Sequence, residues 1–244
     1  MSDVHLDASI AAQYDESVPD RFDPEYLESE VGFLAGLADG GRALEMAIGT
    51  GRVGLPLSQR GVDVHGIDHS GPMLDQLRAK PGAADVSLTH GDLLATRVEG
   101  QFRLVYLVFN TIMNLTTQED QVACFQMAAD HLEPGGHYVI EVLVPDLRRL
   151  PPGEGARVFD VSDDHVGFDE YTDIPHQILY SHHYTERNGT TIHTSSPYRY
   201  VWPSELDLMA LLAGMTLAGR WEDWNRTPFT GSSDAHVSVW RKPE

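Results

Sequence analysis

Residues 43–54, Ala-Leu-Glu-Met-Ala-Ile-Gly-Thr-Gly-Arg-Val-Gly, constrain this chain more than any other stretch. An apolar run reaches Glu45, glycines follow at Gly49, Gly51 and Gly54, and a helical pattern begins near Arg52. Strand, tight turn and helix in that order make a cradle for a nucleotide-type ligand. Glycine lets the backbone approach closely, and the start of the helix offers unpaired N–H groups. The spacing Gly-x-Gly-x-x-Gly is also the dinucleotide fingerprint, so this stretch alone leaves two kinds of enzyme open.

The flanking sequence supplies a context of alternating strands and helices. Residues 1–30 are polar with scattered aromatics, and Asp23-Pro24 starts a helix, Asp as cap and Pro in the first turn, that runs to about Leu37. Strands are expected at 42–47, 62–68, 86–88, 102–109 and 137–144. Helices are expected at 52–60, 73–79 and from the Thr116-Thr117-Gln118-Glu119 capping box to about Leu132. The run Phe102–Phe109 is almost wholly apolar, as a strand covered on both faces must be. Repeated units of this length imply a parallel sheet with helices on both sides.

After Pro145 the pattern changes. Residues 157–201 carry strands without helices, and Asn188-Gly189 marks a two-residue hairpin that pairs Arg187 with Thr190. Counting outward from that turn puts Tyr180, His182 and Tyr184 on one face with His193, Ser195 and Pro197. Leu179, Ser181, His183, Ile192 and Thr194 fall on the other. Ser204 is then expected to cap a helix through Leu212, and two last strands follow at 217–224 and 236–240.

Composition narrows the function. With 41% apolar and 22% charged residues, 244 residues make an ordinary globular chain. The net charge of −20 and the presence of only two lysines, Lys80 and Lys242, argue against a nucleic-acid partner, which needs a basic footprint. The acidity fits a cationic substrate and fits a solubilising surface equally well. No apolar run is long enough to span a bilayer and the N-terminus is polar, so neither a membrane partner nor a secretory signal is expected and the expected location is cytoplasmic. The single Cys124 excludes an internal disulfide and reads as a core thiol. Asp163, Asp164 and His165 read as solvated loop residues, so no metal is expected.

A carboxylate placed as Asp68 is, about 19 residues beyond the first glycine, can hold a ribose diol in either kind of nucleotide site. Glu45 separates them: an acid before the glycine turn would crowd an anionic pyrophosphate but suits a ligand bearing an ammonium and a sulfonium. Asp92, after the third strand, could accept from an adenine amine. Leu44–Arg52, Gly66-Ile67-Asp68-His69-Ser70 with Met73-Leu74, Gly91-Asp92-Leu93, Phe102–Leu115 and Leu132-Glu133-Pro134-Gly135-Gly136 resemble, in order, five motifs of the class I S-adenosylmethionine-dependent methyltransferases. The wider organisation is similar to their small-molecule, amino-sugar and natural-product subgroup. The sequence departs from the family at Ala47, where glycine is usual, and at Arg103, where aspartate is common.

The resemblance implies an α/β fold: a Rossmann-like seven-stranded, mostly parallel sheet with helices on both faces. To this it adds an N-terminal helical cap (1–41) and an antiparallel β insertion after strand 5 (146–201), the core being 42–145 and 202–244. It implies S-adenosyl-L-methionine as cofactor, with Ala47, Gly49 and Gly51 under the methionine part and Glu45 near its amino group. Asp68 would hold the ribose, His69 and Met73 would flank the adenine, Asp92 and Leu93 would bond it, and Val108 and Asn110 would line the donor-facing side. Tyr14 is the counterpart of a tyrosine near the donor, and Asn114 approaches the acceptor. From the pleat, Tyr180, His182 and Tyr184 are the acceptor-facing candidates, and Tyr14 and His182 the catalytic ones. The expected activity is methyl transfer to oxygen or nitrogen of a small metabolite, with a homodimer as a possible assembly. Two alternatives stand beside it: an NAD(P)-dependent oxidoreductase and a non-catalytic S-adenosylmethionine-binding protein.

Overall fold

A computed structural model describes residues 7–187 and 189–244. Two helices precede the first strand, α1 (Ala8–Ser17) and α2 (Pro24–Ala38). Asp23 caps α2, its carboxylate accepting from the N–H groups of Glu25 and Tyr26 at 3.0 Å each. Then come β1 (Ala43–Met46), α3 (Gly54–Gln59), β2 (Val64–Asp68), α4 (Gly71–Arg78), β3 (Val86–His90), β4 (Phe102–Leu107), α5 (Gln118–His131) and β5 (Leu132–Leu143). The expected turn at 133–136 is looped out inside β5. Pairing with β4 jumps from Phe102↔Leu132 to Leu104↔His137, and Gly135 takes φ +77°. At α5 the cap is Thr117, not Thr116: its hydroxyl accepts from the Asp120 N–H at 3.1 Å.

Four antiparallel strands follow, β6 (Ala156–Val161), β7 (His165–Asp173), β8 (Ile178–Arg187) and β9 (Thr190–Arg199), forming a separate sheet in chain order. Asn188 lies outside the described residues. The expected register is present around it, with Arg187 opposite Thr190, His182 opposite Ser195 and Ser181 opposite Ser196. The chain returns through α6 (Pro203–Leu212), β10 (Thr216–Trp221) and β11 (Ala235–Arg241). The start of α6 differs from expectation: Trp202 is the cap position and Pro203 fills the first turn, where its missing N–H costs nothing.

The main sheet has seven strands in the order β10-β11-β5-β4-β1-β2-β3, and β11 alone runs antiparallel to its neighbours. This is the Rossmann-like arrangement. Its order reverses between β1 and β4, and there the loops after the two strands part and leave a crevice at the carboxyl ends. One apolar cluster, around Phe102, Phe125, Tyr138 and Trp240, fills the layer under α5 and α6. The other, around Leu34, Leu57, Leu74 and Tyr106, lies under α2, α3 and α4. Among the described residues no helix is long and apolar enough to cross a membrane.

One buried ion pair joins α2 to the glycine turn. Arg52, at the end of that turn, meets the fully buried Glu30 of α2 through two parallel bonds of 2.5 and 3.0 Å. Removing one partner of such a pair leaves a buried charge uncompensated, whereas removing both leaves only a packing defect. Glu30→Gln should therefore cost about 3 kcal/mol or more in urea unfolding, and adding Arg52→Met should recover much of that loss.

Candidate functional site

The carboxyl ends of β1, β2 and β4 open into one cavity of about 580 Å³, whose far wall is the inner face of the second sheet. On the main-sheet side its lining includes Ala47, Gly49, Asp68, His69, Met73 and Asn110, with Tyr14 of α1 above them. On the other side it includes Asn114, Arg157, Asp169, Ser181, His183 and Tyr198.

Local backbone conformation shapes the first side. Gly49 has φ +57° and a side chain built there would meet open space, so its flat surface is a wall of the cavity. Its N–H donates to Asp68 Oδ2 at 2.7 Å, and the Ser70 N–H donates to Oδ1 at 2.8 Å. Asp68 thus clips the glycine turn to the end of β2 and still has lone pairs facing the cavity. Gly51 serves differently from expectation. At φ +80° a methyl there would press on Leu77 at 2.8 Å, so this glycine permits packing of α4 and lies off the cavity wall. Gly54 does the same for Glu45 and Ile48. Ala47 has φ +61°, a left-handed conformation that explains why glycine is usual in the family at this position.

Glu45 is buried behind the turn, accepting from the Tyr106 hydroxyl at 2.9 Å, and does not line the cavity. Burial pushes its pKa up to about 8. At the end of β4, Phe109 and Asn110 are both left-handed, φ +56° and +60°. Glu141 of β5 holds them: its Oε2 accepts from the Phe109 N–H at 2.8 Å and its backbone oxygen accepts from the Asn110 N–H at 3.1 Å. Its Oε1 takes Arg21 at 2.6 Å and the Tyr26 hydroxyl at 2.8 Å, tying in the N-terminal helices. The turn is latched to α1 as well. Thr50 Oγ1 donates to Asp15 at 2.5 Å, and Lys80 bridges Asp15 and the Thr50 carbonyl. This latch places Tyr14 over the cavity, where burial pushes its phenol to about 12, so the hydroxyl keeps its proton.

Several expected residues stand elsewhere. Asp92 is exposed and its Oδ1 accepts from the Leu94 N–H at 2.7 Å, capping its own turn. The Leu93 side chain is in the core, and Val108 packs against the other apolar cluster. None of the three lines the cavity. Tyr180, His182 and Tyr184 are on the face of β8 that points away from it. There His182 stacks on Phe168 at 4.7 Å and Tyr184 on His193 at 4.2 Å. The pairing was read correctly, but the opposite face, carrying Leu179, Ser181 and His183, closes the cavity. Arg157, Asp169 and Tyr198 were missed because β6, β7 and the end of β9 carry no local mark of what they cover.

On the comparisons, residues 43–136 match the family model described as a methyltransferase domain. The CcbJ methyltransferase of Streptomyces caelestis is 36% identical, with 99% of this chain and 98% of that one aligned at a TM-score of 0.87. The cypemycin N-terminal methyltransferase of a Streptomyces species is 27% identical over 90% of this chain and 94% of its own length. A dTDP-3-amino-3,4,6-trideoxy-alpha-D-glucopyranose N,N-dimethyltransferase from Streptomyces venezuelae is 33% identical over 40% of each chain. The chain belongs to the S-adenosylmethionine-dependent methyltransferases. It is an enzyme that uses S-adenosylmethionine, and the dinucleotide reading of the glycine turn falls away. The cavity suits that cofactor: the bare backbone at Gly49, the Asp68 carboxylate and the left-handed Ala47 face one continuous space that Tyr14 also lines.

Glu45 gives this methyltransferase a pH signature. A carboxyl whose folded pKa is raised stabilises the fold below its unfolded pKa, and that contribution is lost as pH rises through about 8. Glu45→Gln should therefore flatten the fall in thermal midpoint from about pH 6 to about pH 9, by several degrees at the alkaline end. Parallel curves for the two proteins would show that the buried carboxyl does not titrate in this range.

Proposed function

We propose that this enzyme methylates an amine nitrogen of a small metabolite held between the end of β4 and the inner face of the second sheet. The observation that carries the reading is Asn114, whose Oδ1 is buried with no partner on the cavity wall. A buried carbonyl oxygen without a donor is costly, and a turn of the Asn114 side chain into the cavity would let an acceptor N–H supply that donor. Asp169, also on the wall, has its pKa raised by burial and accepts from Ser181. Carboxylate, amide oxygen and the acidity of the whole chain all favour a cationic or hydrogen-donating substrate. The amino-sugar relative is named as an N,N-dimethyltransferase, and the cypemycin relative is named for methyl transfer at an N-terminus.

S-adenosylmethionine supplies an electrophilic methyl group on a sulfonium. Gly49 and Ala47 would support its methionine part, with Asp68 on the ribose diol and His69 and Met73 beside the adenine. The rest of the task is positioning and exclusion of water, and the latched α1 with Tyr14 contributes to both. Methyl transfer to a hydroxyl is the second reading.

Asp68→Asn should weaken S-adenosylmethionine binding about ten-fold or more by calorimetry, because it removes a charge-assisted contact and loosens the turn. Unchanged affinity would remove Asp68 from the cofactor site. The acceptor class is tested by following S-adenosylhomocysteine formation with alkylamines, amino sugars, a short peptide with a free N-terminus, and hydroxyl-only counterparts. Amines should turn over, and Asn114→Leu should raise their KM while leaving cofactor affinity alone. Turnover of the hydroxyl compounds only would overturn the nitrogen reading.

A further inference from the structure

Two histidines that face each other in the second sheet are unused by anything described so far. His165 opens β7, and His183 lies on the inner face of β8, on the cavity wall. Their rings are 5.2 Å apart between centres, with His165 Nε2 3.0 Å from His183 Nδ1. Beyond His165, its Nδ1 lies 2.5 Å from Asp160 Oδ2. Asp160 is half exposed and His165 about a quarter exposed, so this end of the chain of bonds reaches solvent. We propose that Asp160, His165 and His183 form a proton relay from the acceptor cavity to solvent, with His183 taking the proton that an acceptor ammonium must lose.

Hydrogen-bond bookkeeping sets the direction. A carboxylate only accepts, so His165 carries its proton on Nδ1 and its Nε2 is bare when the ring is neutral. That bare nitrogen must take the Nδ1–H of His183, which leaves the Nε2 of His183 bare in turn. Its polar neighbour on the cavity side is Ser181 Oγ at 3.4 Å, and the Ser181 hydroxyl already donates to Asp169. A lone pair therefore remains at the cavity end.

Room for the arrangement comes from Gly167, directly opposite His183 across the β7–β8 pairing. A methyl there would strike the Phe159 ring at 2.3 Å and approach the His165 ring at 3.0 Å. Phe159 itself packs edge-on to His183 at 5.5 Å, shielding the relay's inner half.

An amine at neutral pH arrives as an ammonium and has no lone pair to alkylate. In the proposed step its N–H bond breaks with the electron pair staying on nitrogen, and an N–H bond forms at His183 Nε2. The Nδ1 proton of His183 passes to His165 Nε2, so the positive charge ends beside the Asp160 carboxylate. Passing the charge outward matters because burial holds His183 below the ordinary imidazole range, and His165 and His182 on either side disfavour a cation there too. Asp160 opposes that effect. Arg157 and Asp169 also face the cavity, Arg157 paired with Asp146.

The relay rests on the amine reading for its purpose but not for its geometry, and two measurements separate them. Nitrogen-detected NMR of the 244-residue chain near pH 8 should show both rings as Nδ1–H tautomers. Lowering the pH to about 5 should add one shared proton, at a midpoint that Asp160→Asn moves down by about one pH unit. A proton on His183 Nε2, or a titration of His183 indifferent to Asp160→Asn, overturns the relay whatever the substrate is. With the best amine from the acceptor panel, His183→Gln should lower kcat about ten-fold or more near pH 7 and recover near pH 9, where the amine deprotonates unaided. Unchanged cofactor affinity would show that the variant is folded. An undiminished kcat near pH 7 in that folded variant also overturns the proposal.

Discussion

Glu141 holds the end of β4 in a conformation that its residues would not adopt unaided. Phe109 and Asn110 are consecutive left-handed residues, each costing roughly 1 to 3 kcal/mol where neither is glycine. Such strain persists only where the surroundings over-determine it. Here the carboxylate of Glu141 takes one backbone N–H, its carbonyl takes the next, and Asn110 Oδ1 accepts from the Leu143 N–H at 2.8 Å. The reversed turn aims Phe109, Asn110 and Thr111 at the cavity. Because the same carboxylate also binds Arg21 and Tyr26, the placement of the N-terminal helices and the shape of the β4 loop are one problem with one solution.

The two walls of the cavity have different physical origins. Parallel strands ending together provide backbone: a bare glycine, oriented N–H groups and a carboxylate clipped to them. The antiparallel sheet provides side chains, because its pleat puts every second residue of β8 on one face. Cofactor recognition can therefore follow from the fold, whereas acceptor chemistry follows from which residues a strand happens to carry. In this chain Leu179, Ser181 and His183 are the β8 residues on the cavity wall.

Much of the fold could be read directly from local chemistry. The Asp23 cap, the apolar fourth strand, the helical pattern behind Gly54 and the hairpin register are short-range signals, and short-range forces decide them. Of the residues expected at the site, Gly49, Asp68, His69, Met73, Asn110, Asn114 and Tyr14 line the cavity. Asp92 and Gly51 show what a motif leaves open. A carboxylate after a strand looks the same in sequence whether it meets a ligand or caps its own turn, as Asp92 does. A glycine in a fingerprint looks the same whether it clears space for a ligand or for Leu77. The non-glycine Ala47 was a real signal, since its φ of +61° marks the one place in the turn where a side chain is tolerated against backbone preference.

The sequence by itself determined the order of strands and helices from β1 to β5, the parallel pairing of those strands and the sorting of β8 into two faces. Period-two alternation depends only on neighbours along the strand, so it survives any tertiary arrangement. It is also symmetric: nothing in it says which face will be covered. Only the tertiary structure decided that His183 looks into the cavity while His182 stacks on Phe168 outside. That choice is made by how the second sheet lies over the switch point, through contacts between residues far apart in the chain.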